Sequence, residues 1–341
     1  MENANDVQLL FFQHIKNNLP SHLSFVDEIA EQLDISNDSA YRRIRGEKPI
    51  SLDEIAKLCS AYKISLDQFL HLKSDSFLFT GKLPNSEGNF YDEWLKEVLT
   101  HYSYVNSFEK KHLYFLTKDM PFISFFQVPE LATFKSFMWM RTFLHYDTLR
   151  GKKFSLQNNY PEYSELGNKI IHVANKIPTT EIWNHECINA TIGQIEYYRE
   201  ANVFETENDI AILYDKLEEL VNHFEKQAET GKQFAFGETP RHDSGAYIMY
   251  LNELFIGDNT ILAEVNNMKM SFLNHSVLHI VGTRDERFSN YVYDNVMNMI
   301  GKSTMISNVG EKSRNRFFSS LREKIWKRKA SLKNGQQYPI A

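Results

Sequence analysis

Residues 21–50, SHLSFVDEIAEQLDISNDSAYRRIRGEKPI, contain two short helical patterns joined by a turn. Ser24 is followed by Asp27 at a helix start, where a short oxygen-bearing side chain caps free backbone N–H groups. Phe25, Ile29 and Leu33 then recur at helical spacing. Asp34, Ile35 and Ser36 make a tight connection, and Ser36 is placed to cap a second helix over residues 37–45 that ends at Gly46. Two helices of about ten residues joined by so short a turn must cross steeply, so one can brace on a phosphate backbone while the other enters a major groove. The pattern predicts an element that reads double-stranded DNA.

These residues resemble the helix-turn-helix of the Cro/C1-type (XRE) repressor family, and more closely its BetR-like members. The resemblance is carried by Ile29-Ala30, with the small Ala30 at the helix crossing, by Asp34-Ile35-Ser36 at the turn, and by Arg45-Gly46 followed by Lys48-Pro49. The family pattern has an apolar residue where Arg43 stands and an acidic one at Ile44, so the apolar contact is expected one residue later. The resemblance implies that Asn37, Asp38 and Arg42 face base edges, with Tyr41 beside them. Their chemistry fits: Arg pairs with guanine O6 and N7, Asn with adenine N6 and N7, and Asp accepts from cytosine N4. Arg43, Arg45 and Lys48 are then expected as phosphate contacts. The alternative is a plain helix pair whose arginines are solvated.

The composition bounds the rest. The chain has 341 residues, 42% apolar and 24% charged, which is ordinary for a globular protein with two or three domains. A net charge of -6 argues against a protein that coats nucleic acid, which needs an overall basic surface. Residues 1–75 hold eight Lys or Arg against twelve Asp or Glu, so the cations of 42–48 stand on an acidic background. Cys59 and Cys187 show no ligand spacing and read as buried free thiols, which suits a reducing cytoplasm. There is no basic leader and no run of about 18 apolar residues, so neither export nor a membrane partner is expected.

Leu9, Leu10, Phe12, His14 and Ile15 predict a helix beneath the reading pair. Ser51 with Glu54, and Ser65 with Gln68, fit capping boxes that open two more helices. The expected head is therefore a five-helix, lambda-repressor-like domain over residues 1–75, followed by a linker over 76–89. Beyond it, amphipathic patterns predict helices over residues 91–104, 128–146, 161–176, 179–201, 207–231, 285–300 and 310–329. An antiparallel meander is predicted over 246–281. The fold class expected is mainly α, with a larger α+β unit over 90–335 that carries a small antiparallel sheet. Residues 90–330 also resemble a module that many bacterial regulators carry behind a BetR-like head, and this adds architecture without a ligand.

Candidate chemistry in the larger unit is sparse. His275 and His279, placed on one strand, are too few for a metal site, and His242-Asp243-Ser244 lacks the strand-elbow context of a nucleophile. The aromatic cluster around Phe134, Phe137, Met138, Trp139, Met140 and Phe143 reads as core. Ser307, Lys312, Arg314 and Arg316 gather hydroxyl and cationic groups at a helix start, where a small phosphorylated or nucleotide effector would find backbone donors. The alternative is a capped helix with a solvated basic face. Residues 311–333 hold nine Lys or Arg against two acidic residues, an excess that faces either DNA or the protein's own acidic surfaces. No enzyme activity, cofactor or metal is expected. The reading is a sequence-specific DNA-binding transcriptional regulator, a homodimer with a sensing or oligomerising C-terminal unit. Two alternatives stand beside it: an enzyme targeted by its head, and a peptide-responsive regulator with a helical-repeat groove.

Overall fold

The computed structural model describes residues 4–19, 24–62, 64, 66–69, 77–83, 89–158, 160–254, 259–276 and 278–334. They fall into two compact units, Met1–Leu78 and Phe79–Ala341.

The first unit contains α1 (Ala4–Asn18), α2 (Phe25–Leu33), α3 (Asn37–Ile44), α4 (Leu52–Tyr62) and the single turn α5 (Leu66–Phe69). Its core is formed by Phe11, Phe12 and Ile15 of α1, Ile29, Ala30 and Leu33 of α2, Ala40 of α3 and Leu58 of α4. Leu9 and Leu10, read as part of the buried stripe, are instead exposed, and Phe11 takes the inward position. The Ser51–Glu54 capping box closes in both directions: Ser51 N–H donates to Glu54 Oε2 (2.9 Å) and Glu54 N–H to Ser51 Oγ (3.2 Å). The capping box expected at Ser65 lies outside the described residues.

The second unit corrects the expected fold class. Its described residues form a seven-stranded mixed sheet, far larger than the small antiparallel sheet read from the sequence, so the chain is not mainly α. The strands are β1 (Lys111–Thr117), β2 (Thr179–Trp183), β3 (Tyr247–Leu251), β4 (Thr260–Val265), β5 (Met268–Ser276), β6 (His279–Thr283) and β7 (Thr304–Met305), in the order β6-β5-β4-β1-β2-β3-β7. β1, β2 and β3 run parallel. β4, β5 and β6 extend the β1 side as an antiparallel meander, and β7 closes the β3 side antiparallel. β3 was expected inside the meander and belongs instead to the parallel centre. Parallel neighbours need long crossovers, and the helices α7 (Pro129–Met138), α8 (Pro161–Ala174), α9 (Asn189–Glu200) and α10 (Glu207–Thr230) supply them. A superhelix of stacked helix pairs, which a peptide-groove regulator requires, is not what the described residues of this unit build.

Burial explains why the centre of the sheet was missed. All five residues of β2 are buried, so the segment shows no alternation of apolar and polar residues and merges into the helical pattern that follows it. One face of the sheet packs on α6 (Phe90–Asn106), the crossover helices and α12 (Glu311–Asn334). The opposite face, with Ile182 and Leu262, is covered by Val292 and Val296 of α11 (Glu286–Gly301). Part of the stretch read as linker joins this unit. Thr80 and Gly282 exchange backbone hydrogen bonds of 2.8 Å each, which covers the β6 edge.

α12 buries Phe317, Phe318, Leu321 and Ile325, the face its periodicity predicts. Its cations meet acidic α10: Arg322 pairs with Glu225 (2.5 Å), and Lys329 with Asp215 (2.5 Å) and Glu218 (3.1 Å). These members of the basic excess face the protein's own acidic surface.

Candidate nucleic-acid interface

The turn between α2 and α3 is built from local backbone chemistry. Asp34 takes a left-handed conformation (φ 55°), tolerated by a short polar side chain, and Ile35 N–H closes onto the Ala30 carbonyl (3.0 Å). Ser36 then caps α3, its Oγ accepting from Ser39 N–H (3.3 Å). Gly46, at φ +72°, ends α3 in a conformation that a side chain would strain. Gln8 of α1 holds the exit loop, donating to the Arg43 (2.7 Å) and Lys48 (2.8 Å) carbonyls and accepting from Ile50 N–H (3.0 Å). The sequence reading did not single out Gln8, because its partners lie more than one element away.

Asn37, Asp38, Tyr41, Arg42 and Arg45 are exposed, and their spacing puts them on one face of α3. Lys48 is exposed just beyond. The Arg45 guanidinium lies over the Tyr41 ring, 5.2 Å from its centroid, and 3.6 Å from Glu47. Asn37 is tied back to α2, its amide donating to Asp27 Oδ1 (2.7 Å). Arg42 makes no side-chain hydrogen bond or ion pair among the described residues, which leaves its guanidinium available to an outside acceptor.

Arg43 has a different position from the one expected. It is 6% exposed on the inward face of α3, and its guanidinium donates to Glu54 through Nε (3.0 Å) and Nη2 (2.6 Å) and to the Ser39 carbonyl through Nη1 (3.1 Å). It is therefore a brace between α3 and α4 and not a phosphate contact. Ile44, where the apolar contact was expected, is half-buried and packs against the core of the first unit. Arg43 occupies the inward position itself, and Glu54 supplies the charge that its burial demands. Burial raises the Glu54 pKa, but the bonds from Arg43 and from Ser51 outweigh it and leave the carboxyl below its ordinary range.

The expected anion site at the start of α12 does not assemble. Ser307 is fully buried and its Oγ accepts from Met249 N–H (3.0 Å), while Arg314 is 6% exposed and donates to the Ile306 carbonyl (3.1 Å). Lys312 and Arg316 are exposed. The open space beside Arg314 is bordered by Glu225, Glu229 and Glu311 as well as Lys226, so acidic groups outnumber the cations there. His275 and His279 sit on two strands of a tight hairpin rather than on one. Asp243 pairs with Lys176 (3.2 Å), and Ser244 Oγ accepts from Arg241 N–H (3.0 Å), so neither forms a triad. No helix among the described residues is long and apolar enough to cross a membrane.

Residues 21–85 match the family model of the BetR domain, a helix-turn-helix type of DNA-binding domain. Among curated proteins and solved structures, none matches the chain.

Proposed function

With a DNA-binding domain of the BetR type at residues 21–85 as its premise, we propose that this chain is a sequence-specific transcriptional regulator of the Cro/C1 kind, with α3 as its reading helix and the second unit as its sensing or oligomerising part. The observation that carries this reading is the exposed row Asn37, Asp38, Tyr41, Arg42 and Arg45 on a helix whose inward face is locked by Arg43 and Glu54. A rigidly held helix that presents amide, carboxylate and guanidinium groups together has the inventory needed to read base edges. Arg42 is assigned to a base edge, and Arg45 and Lys48 to phosphates.

Selection of bound DNA from a random pool tests the assignment. Arg42→Ala is expected to cost about 1–3 kcal/mol on the best site and to relax preference mainly at one base position, while Arg45→Ala weakens all sites alike. Uniform loss from both substitutions means that the reader is another residue.

A single head covers a small DNA surface, so the protein is expected to act as a homodimer that places two copies of α3 about 34 Å apart on a two-fold site. Light scattering of the full chain checks this, and a monomer at micromolar concentration both with and without DNA would count against it.

A further inference from the structure

Glu181 lies at the middle of β2, on the sheet face that packs against helices, and is 6% exposed. Trp183 Nε1–H (2.6 Å) and the Tyr247 hydroxyl (2.9 Å) both donate to its Oε2. Oε1 accepts no hydrogen bond among the described residues, yet it is not sealed in the core. Glu181 lines a cavity of about 30 Å³, shared with Tyr102, Gln227 and Gln233.

Hydrogen bonds fix the orientation of both amides. Gln227 Nε2 donates to the Phe234 carbonyl (2.8 Å), and Gln233 Nε2 donates to the Ile177 carbonyl (2.5 Å) and the Thr179 hydroxyl (3.0 Å). Both N–H groups of Gln233 and one of Gln227 are thereby engaged, which orients the amides and leaves their two oxygens without a donor among the described residues. The described lining contains no Lys, Arg or His. Gln127 Oε1 accepts from Phe236 N–H (3.0 Å), so this residue offers a donor, as do the Tyr102 and Ser124 hydroxyls and the Asn175 amide, but all of these are neutral. Gln127 stands at the junction, because this residue, Ile171 and Asn175 also line an open cleft of about 320 Å³. That cleft is walled by Phe126, Phe234 and Phe236 together with His172 and the ion pairs Lys176–Asp243 (3.2 Å) and Arg241–Glu238 (2.8 Å), whose charges offset one another.

We propose that the cavity and cleft together bind a small primary amine, with the ammonium group held by Glu181 and the amide oxygens of Gln227 and Gln233 and the apolar body in the cleft. An ammonium carries three donors and no acceptor, which matches a carboxylate oxygen and two amide oxygens that lack donors. Burial pushes the Glu181 pKa up to about 7, against the pull of the Tyr247 and Trp183 bonds, and a cation beside it offsets that desolvation. The cavity lies toward the N-terminal ends of the parallel strands, beside Leu113, Thr179 and Tyr247, and so away from the carboxyl-end crevice that nucleotides use in open α/β sheets. The proposal rests on the sensing role of the second unit only for its consequence, since amine binding requires nothing of the DNA-binding head.

The test uses the full chain with methylamine, butylamine and phenethylamine, and with phenylpropionate and phenethyl alcohol as anionic and neutral counterparts. Calorimetry and melting temperature are expected to show binding and stabilisation by at least one amine and by neither counterpart. Glu181→Gln retains an acceptor for Trp183 and Tyr247, and should weaken amine binding roughly tenfold or more, the scale of one lost charge-assisted hydrogen bond. In the wild-type chain, the Glu181 carboxyl carbon resonance should shift on amine addition, a readout that does not depend on how a variant folds. Absence of binding by all three amines, preference for the carboxylate, equal affinity in the variant, or an unmoved Glu181 resonance would each overturn the proposal. Retention of selected DNA is scored in the same samples, so a failed amine site with intact DNA binding removes this inference alone.

Discussion

Glu54 in the first unit and Glu181 in the second are both carboxyl groups drawn into a core, and they are satisfied in opposite ways. Glu54 meets a guanidinium within 2.6 Å and also accepts from Ser51 N–H, and its pKa falls. Glu181 meets only neutral donors, both on one oxygen, and its pKa rises to about 7. The first is a completed structural pair. The second is a group with unused capacity beside a cavity. A buried charge with all its partners holds a fold together, whereas one that lacks partners marks a place where a ligand can supply them. Lys135 stands between the two kinds, since burial among neutral partners pulls its pKa down to about 7 while its donors are engaged. Its Nζ donates to Thr191 (2.9 Å) and Gln194 (2.5 Å) and lies 3.9 Å from the Phe125 ring centroid.

The largest effect expected from this difference lies in the head. Glu54→Gln leaves the Arg43 guanidinium buried without a counter-charge and is expected to destabilise the first unit by roughly 3 kcal/mol. Arg43→Met should cost much less, about 1 kcal/mol, because a linear apolar side chain fills the inward position and the more exposed Glu54 keeps its Ser51 bond. Hydrogen exchange of the α2–α4 amides measures both. Equal losses would show that Arg43 contributes mainly through its own contacts, and the contrast with Glu181 would then lose its first term.

The second effect is a pH dependence of the opposite sign. A carboxyl whose pKa is higher in the folded state than in the unfolded state binds more protons when folded, so the stability it contributes falls as pH rises. For Glu181 this occurs between 4.5 and about 7, and the full excursion is about 3 kcal/mol. His112 and His223, which burial pushes down to about 4, act in the reverse direction over part of that range, so the whole-protein curve conceals the effect. The difference between wild type and Glu181→Gln isolates it. Tryptophan fluorescence is the suitable probe, because all four tryptophans lie in the second unit. A flat difference curve would place the Glu181 pKa near its ordinary value. Glu54 should behave conversely, losing its contribution as acid carries the pH down through its lowered pKa.

The same contrast separates what could be read from the sequence from what could not. In the head the decisive partners are close along the chain: Ser36 with Ser39, Ser51 with Glu54, and Arg43 with Glu54 eleven residues away. Capping rules and helical spacing reach that far, so the helix pair, its turn and its exposed face were all visible. Arg43 was misplaced because its charge suggested the surface, although its position in the family pattern is an inward one. In the second unit, the Glu181 cavity draws on Tyr102, Gln127, Gln227, Gln233 and Tyr247, which only the assembled sheet and crossover helices bring together. No local periodicity encodes that meeting. The parallel strands that create it were hidden for a related reason, since a strand buried on both faces loses the alternation that announces it.

The smallest predicted effect tests how far local rules carry even within the head. Ser24 and Ser36 each precede a helix, each sits at the N-cap in extended backbone, and the sequence assigns both the same capping role. Ser36 performs it, accepting from Ser39 N–H, whereas the Ser24 side chain makes no capping bond to α2. Asp27, in the first turn of α2, is engaged with Asn37 of α3. Ser36→Ala should therefore cost about 1 kcal/mol, while Ser24→Ala should cost no more than a few tenths. It should also fray the start of α3, where Asn37 and Asp38 stand, and so weaken DNA binding beyond its effect on global stability. Amide exchange at residues 37–39, measured beside affinity for the selected DNA, separates the two contributions. Equal costs from the two serines would mean that Ser24 caps α2 in solution, and the local rule would then hold at both helix starts.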